Sequence, residues 1–160
     1  MPNWCWNKVK ISGPADEVRK LAELVRTNES AFSFNKVIPM PEELAGIHCG
    51  FSTTHDGKKV RNWRVVDRKT VAVNEKALVK KCGFVNWYDW AYANWGTKWD
   101  ASDTETVCHN RKGHGTATIS FTTAWGPPEP VLARLAELFP SLKIKLNWNE
   151  EGGQKGSSEF

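Results

Sequence analysis

Alternation of apolar and polar residues marks strands near both ends of the chain. One predicted strand, residues 4–12, sets Cys5, Asn7, Val9 and Ile11 on one face against Trp4, Trp6, Lys8 and Lys10 on the other. The same period over 116–123 and 142–148 predicts two further strands. Helical spacing predicts helices over about 14–28 and 130–139, and a second strand is expected over 31–38, before Pro39.

Each end of the chain is thus predicted to be a strand–helix–strand unit. Two such units, over residues 4–38 and 116–148, form an α+β split βαβ ferredoxin-like sandwich, which has a four-stranded antiparallel sheet and two helices. We expect a single domain over residues 1–150, with a Trp-rich, basic insertion at about 40–115 between the two halves. Residues 151–160 are rich in Gly and Ser, which predicts a flexible tail with the composition of a cloning remnant.

The middle of the chain is less regular. Residues 46–72 show no clear period, so we expect a loop or a mobile insertion there. Asn74 is a good N-cap for a short helix through Lys81, and Gly83 is suited to end it. A short strand is expected near residues 105–108.

One stretch, residues 86–100, holds four of the nine tryptophans and both tyrosines. Its spacing predicts a helix from Trp87 that is aromatic on nearly all sides and ends at Gly96. Such a helix either fills a hydrophobic core or lines a pocket, and the sequence leaves both alternatives open.

The net charge of +4 is unevenly distributed. Residues 58–81 hold nine basic and two acidic residues, a local charge of +7, whereas the remainder carries −3. This favours an anionic partner for the middle of the chain. No apolar run reaches transmembrane length and no signal peptide is visible, so we expect no membrane partner and a location in the cytoplasm of a bacterial host cell.

Metal, cofactor and catalytic motifs are not found in the sequence. The cysteines form no Cys-x-x-Cys pair, and the adjacent pairs His48-Cys49 and Cys108-His109 lack the spacing of a zinc site. The carboxylates around the aromatic stretch are not joined by a nucleophile motif such as Gly-x-Ser-x-Gly. We therefore assign no metal ligand, no cofactor and no catalytic residue, and the balance is against an enzyme.

Several motifs resemble a known family. They are Met1-Pro2-Asn3-Trp4-Cys5-x-Asn7 with Gly13, Phe32-x-Phe34, Ile38-Pro39-Met40-Pro41-Glu42-Glu43-Leu44, Trp87-Tyr88-Asp89-Trp90, Asn94-Trp95-Gly96-Thr97-Lys98-Trp99-Asp100, and Phe121-Thr122-Thr123-Ala124-Trp125-x-Pro127-Pro128. Together they are similar to the Api92-like or YubB-like proteins of phages and plasmids, which have a ferredoxin-like domain. The resemblance implies a small intracellular protein of mobile elements and no established activity. By association it implies a role in countering host defence or in handling nucleic acid.

Two groups of residues are candidate binding sites. The first suits nucleic acid, because exposed aromatics stack on bases and basic side chains bind phosphates; it comprises Trp4, Trp6, Lys8, Lys10, Arg61, Arg64, Lys80 and Lys81. The alternative is that the insertion buries this sheet face. The second is a ligand pocket for a flat polar molecule, formed by Asn94, Trp95, Lys98, Trp99, Asp100 and Trp125. The alternative, slightly favoured, is that these residues form a structural latch.

The sequence therefore predicts a non-catalytic accessory protein of a phage or plasmid that binds an anionic partner, with nucleic acid or a nucleotide preferred. The alternative is a protein-binding inhibitor of a host defence factor. An enzyme acting on nucleotides is the least favoured reading, and the oligomeric state is left open.

Overall fold

A computed structural model describes residues 2–160. The chain divides into two compact units, one formed by Met1–Pro39 with Asn94–Phe160 and the other by Met40–Ala93. The strands are β1 (Trp4–Pro14), β2 (His48–Thr53), β3 (Lys59–Val66), β4 (Lys69–Ala72), β5 (Ser102–Arg111), β6 (His114–Ala124), β7 (Lys143–Glu150) and β8 (Lys155–Glu159). The α-helices are α1 (Ala15–Leu24), α2 (Glu75–Cys82), α3 (Trp87–Trp95) and α4 (Glu129–Leu138).

The first unit is built on a five-stranded antiparallel sheet of order β5-β6-β1-β7-β8. The predicted alternation of β1 is confirmed, since Cys5, Asn7, Val9 and Ile11 are buried on one face. Side chains of β6, β7, α1 and α4 complete the apolar core, namely Ala117, Ile119, Phe121, Ile144, Leu146, Val18, Leu21, Val131, Leu132 and Leu135. The α+β, ferredoxin-like prediction thus holds, although the sheet has one strand more than the four expected.

The second predicted strand, residues 31–38, is wrong. This segment forms a 3₁₀ turn, Phe34–Lys36, and β5 occupies the place beside β6 that a ferredoxin-like fold gives to its second strand. Phe32 and Phe34 are both buried and meet Phe121 edge to face, at ring-centroid distances of 5.0 and 5.8 Å. Two aromatic residues separated by one position suit a strand as well as this turn, so the sequence pattern did not distinguish them.

This placement of β5 shortens the segment between the halves. The sequence predicts that residues 102–111 belong to an insertion of about 40–115, but they pair with β6 in the main sheet. The second compact unit is accordingly Met40–Ala93.

Residues 46–72 are not a loop. They form the antiparallel sheet β2-β3-β4. Five of the six residues of β2 are exposed, and its pairing with β3 is interrupted by a bulge between Cys49 and Ser52, so no apolar alternation marks the strand in the sequence. The tight turn from β3 to β4 uses Asp67 and Arg68, both with positive φ, instead of the more common Asn-Gly.

Both central helices are confirmed. The side chain of Asn74 accepts a hydrogen bond from the Ala77 backbone N–H at 3.1 Å, and Gly83 ends α2 with φ of 79°. Gly96 follows α3 with φ of 76°. A side chain at Gly96 would also approach Pro130 Cδ to 2.9 Å, so two separate constraints select glycine there.

The predicted flexible tail, residues 151–160, is also wrong. Lys155–Glu159 forms the edge strand β8, paired with β7. Phe160 and Ile144 exchange backbone hydrogen bonds of 2.9 and 3.4 Å. Gly156 lies directly against the indole of Trp148, where a Cβ would come within 2.8 Å of the ring. Close packing therefore requires glycine at position 156, whereas Gly153, with φ of 89°, lies in the turn between β7 and β8.

Candidate nucleic-acid interface

The outer face of the five-stranded sheet carries an exposed tryptophan on its central strand. Trp6 is 49% exposed and is followed on the same face by exposed Lys8 and Lys10. The alternative, that this face is buried, does not hold at Trp6, although Trp4 is half-buried. A large aromatic ring held at the centre of a rigid sheet provides a surface on which a flat ligand can stack.

Further lysines from β7 and β8 lie on this face. The strand register places Lys145 beside Lys10, Lys143 beside Ser12, and Lys155 beside Asn149. Glu159 forms a 2.7 Å ion pair with Lys145, and this lysine lowers the pKa of the Glu159 carboxyl. Lys10, Lys143 and Lys145 thus lie toward the end of β1 beyond Lys8, whereas Lys155 lies level with Trp6 through Asn149.

The opposite end of the same face is polar and contains a groove. The groove has a volume of about 590 Å³ and is lined by Trp6, Lys8, Asp103, Ser120, Thr122, Asn147 and Asn149, together with the backbone of the three central strands. Asp103 has a positive φ of 50° within the β5 bulge, and its Oδ2 accepts a 3.0 Å hydrogen bond from the Thr122 hydroxyl. Amide and carboxylate groups thus lie beside the exposed indole.

A second groove of about 580 Å³ lies between α1 and β5. Its lining includes Val18, Ala22, Ala31 and Cys108, and the buried hydroxyl oxygen of Thr106 has no hydrogen-bond partner within residues 2–160. The lining contains no tryptophan, tyrosine or phenylalanine. The lining does include His109 and Arg26, but the outer sheet face carries the larger stacking surface of Trp6, so we place the candidate interface there.

Asp100, a predicted pocket residue, is tied to the backbone of its own unit. Its Oδ1 accepts hydrogen bonds from the N–H of Phe34 at 2.6 Å and of Ala101 at 2.8 Å. Its Oδ2 accepts a 2.7 Å bond from the Ser33 hydroxyl. The carboxylate thus fixes the 3₁₀ turn over the sheet and has the geometry of a latch.

Trp95 is equally committed to the core. It is 4% exposed, it donates its indole N–H to the Ile38 carbonyl at 2.9 Å, and its ring meets Phe34 at 6.0 Å. The neighbouring Thr97 is fully buried and donates to the Ala124 carbonyl at 2.6 Å. Neither face of the Trp95 ring is available for stacking on a ligand.

The other members of the predicted pocket are more accessible. Trp99 is 38% exposed, with the Lys98 ammonium 4.4 Å above its ring and Trp4 at 6.3 Å. Trp125 is 45% exposed, and Asn94 is half-buried. The structure therefore divides the predicted pocket into a buried latch and a separate exposed rim.

The basic residues of the second unit are arranged differently. Arg61 and Lys80 are exposed on β3 and α2. Arg64 donates to the Glu43 carbonyl at 3.3 Å, and Lys81 forms a 2.6 Å ion pair with the Glu43 carboxylate, which lowers the pKa of that carboxyl. Part of the positive charge is thus balanced locally.

Some residues of the interface escaped the sequence analysis. They are Asp103, Lys143, Lys145, Asn147, Asn149 and Lys155. The alternation of β7 already separated Lys143, Lys145 and Asn147 from the apolar positions, so these three could have been found by pairing β7 with β1. The bulge at Asp103 and the strand at Lys155 left no such signal.

Within residues 2–160, no three His, Cys, Asp or Glu side chains are grouped so that they could hold a metal ion. In the same residues, no helix is both long and apolar enough to cross a membrane. No two of the four cysteines form a disulfide.

The comparisons with known proteins agree with this architecture. Residues 94–160 match the family model described as the ferredoxin-like domain in Api92-like protein. The resemblance to Api92-like proteins is therefore confirmed over this segment. No curated protein matches the sequence.

Among solved structures, the chain is similar to the crystal structure of the protein Api92 from Yersinia pseudotuberculosis. The TM-score is 0.57, with 10% identity over 100% of this chain and 94% of that chain. At this level of identity the likeness concerns the fold alone.

Proposed function

We propose that the outer face of the five-stranded sheet binds single-stranded nucleic acid, and that the protein is a non-catalytic accessory factor of a phage or plasmid acting in the cytoplasm of the host bacterial cell. The observation that carries this proposal is the exposure of Trp6, which lies at the centre of the sheet and is 49% exposed. Lysines of β1 and β7 continue the same face.

The chemistry of the face suits an unpaired strand. Bases stack on aromatic rings irrespective of sequence, and a row of lysines follows the phosphate backbone. Trp6 supplies the ring, while Lys8, Lys10, Lys143 and Lys145 supply the positive charge in one direction from it. A paired duplex hides its base faces, so Trp6 favours single strands over duplexes.

The experiment is a fluorescence anisotropy titration with labelled single-stranded DNA and RNA of about ten nucleotides, at low and moderate salt. Stacking contributes about 1–3 kcal/mol per base, so Trp6→Ala should weaken binding by about 5-fold or more. The matched control is Trp125→Ala, since Trp125 is similarly exposed but follows the end of β6 and is not part of the groove lining. Equal affinity of wild type and Trp6→Ala, or no binding of either nucleic acid, would contradict the proposal.

A second candidate is a protein-binding inhibitor of a host defence factor. The specific observation is exposed apolar surface in the second unit, where Phe51 is 90%, Val65 55% and Val66 45% exposed. In bacteria carrying a defence system, Phe51→Ser should then abolish protection of an infecting phage, whereas Trp6→Ala should retain it. The reverse pattern would favour the nucleic-acid interface.

A further inference from the structure

We infer that the groove beside Trp6 selects an unpaired guanine base, with Asp103 as the residue that determines this preference. The inference rests on the proposed function, because it assigns a base to a face that is proposed to bind a strand. It depends on the position of the Asp103 carboxylate, which lines the groove beside Trp6 together with Lys8.

Asp103 lies at a distance from Trp6 that the hydrogen-bonding edge of a stacked base can reach. Across the sheet, Trp6 of β1 faces Thr122 of β6, and the Thr122 hydroxyl donates to Asp103 Oδ2 at 3.0 Å. Adjacent strands are separated by about 4.8 Å, so the backbone of Asp103 on β5 is roughly 10 Å from β1, and its carboxylate, which reaches the Thr122 hydroxyl on β6, lies closer. A base stacked on an indole that rises from β1 can span this interval with its hydrogen-bonding edge toward Asp103.

A carboxylate makes a poor phosphate contact but a good base contact. Asp103 only accepts hydrogen bonds, and its engagement by Thr122 leaves acceptor capacity on both oxygens. Guanine is the base whose Watson–Crick edge presents two adjacent donors, N1–H and the 2-amino group. Adenine and cytosine place an acceptor beside their donor, and thymine and uracil place acceptors on both sides of theirs, which a carboxylate repels.

The other side of the groove supplies donors for the remainder of the base. Lys8 lies next to Trp6 on β1, and the amides of Asn147 and Asn149 line the same groove. Either type of group can donate to the guanine O6 or N7 acceptors. The groove therefore offers acceptors at the β5 side and donors at the β1 and β7 side.

The test is an anisotropy titration with thymidine octamers that carry one central guanosine, inosine, adenosine, cytidine or thymidine. Wild type should bind the guanosine octamer at least about 5-fold more tightly than the thymidine octamer, the low end for a bidentate contact. Inosine lacks the 2-amino donor and should fall between them. Asp103→Asn should reduce the guanosine preference to less than about 2-fold, since an amide offers one acceptor only.

The matched control is Glu105→Gln, which removes a carboxylate from the same face of the same strand but not from the groove. It should keep the guanosine preference. Competition with guanosine monophosphate separates a free nucleotide from a strand, and displacement at equal concentration would overturn the assignment to a strand.

The two proposals fail in distinguishable ways. If all octamers bind equally and Trp6→Ala weakens each of them, the guanine preference is wrong while the interface stands. If Trp6→Ala has no effect, the interface itself is wrong. If Asp103→Asn and Glu105→Gln change the preference alike, Asp103 has no specific role.

Discussion

Two regions of the first unit have nearly the same side-chain chemistry and opposite structural roles. The segment 95–100, which contains the latch residues Trp95, Thr97 and Asp100, and the outer sheet face around Trp6 each combine tryptophan, lysine and aspartate. In the latch, backbone groups take up the polar atoms, as Asp100 and Trp95 show. On the sheet face, Trp6 and Asp103 point away from the core. Composition alone therefore does not distinguish a binding surface from a fold-stabilising motif.

The difference has a geometric origin. A strand in a sheet that is packed on one face must direct alternate side chains outward, whatever they are. A turn that crosses the end of a sheet buries its side chains when they can satisfy nearby backbone groups.

The largest effect is expected for the tryptophans. Trp95→Ala should lower the free energy of unfolding by about 3–5 kcal/mol, because it leaves a cavity beside Phe34 and removes the partner of the Ile38 carbonyl. Trp6→Ala, at a half-exposed position, should cost about 1 kcal/mol. Urea unfolding of both variants measures the difference. Similar losses would contradict the division into latch and open face.

The second-largest effect on stability is expected for the two aspartates. Asp100→Ala should cost about 2–3 kcal/mol, since the Phe34 N–H and the Ser33 hydroxyl lose their acceptor. Asp103→Ala should change stability by about 0.5 kcal/mol, because it removes one exposed hydrogen bond. Urea unfolding is again the measurement. A cost at Asp103 equal to that at Asp100 would show that the groove carboxylate is also structural.

These contrasts show how much of the fold the sequence could predict. Strict alternation predicted β1, β6 and β7, and the helices had clear caps or apolar stripes. The strands β2, β3, β4 and β8 were missed because they bury little apolar area, and burial is what leaves a period in a sequence.

The same reasoning explains the partial view of the candidate site. Trp6, Lys8 and Lys10 follow from one strand alone. That these residues share a face with Lys145 and Asn149 depends on strand order and register, which are long-range properties. The latch role of Asp100 needs the fold of residues 33–35, where the sequence suggested a strand.

Removing positive charge should have a moderate effect, and this effect should be confined to nucleic-acid binding. The double variant Lys8→Gln with Lys10→Gln should reduce the salt slope of single-strand affinity by about 0.7 per lysine. Lys58→Gln with Lys59→Gln removes the same charge from the second unit and should leave the slope within about 0.5 of wild type. Anisotropy titrations between low and moderate salt measure both slopes. A larger change for the second pair would move the interface to the basic middle of the chain.

The smallest effect concerns two thiols that both lie on the core side of the sheet, Cys5 on the central strand β1 and Cys108 on the edge strand β5. Burial raises the pKa of the Cys5 thiol, which lies beneath the outer face, whereas Cys108 is exposed. A raised thiol pKa lowers the thiolate fraction at pH 8, and burial also blocks access. Iodoacetamide labelling followed by peptide mass analysis should modify Cys108 in minutes and Cys5 only after unfolding. Equal labelling would mean that the core face of β1 opens readily.

The most direct test of the contrast between latch and open face is the tryptophan indole N–H region of an NMR titration with a single-stranded oligonucleotide. The protein has nine such groups. We predict that the Trp6 signal moves progressively with added strand, while the Trp95 signal, held by the Ile38 carbonyl, keeps its position. A stationary Trp6 signal, or a shift confined to Trp95 and Trp99, would contradict the account and assign the binding site to the aromatic segment.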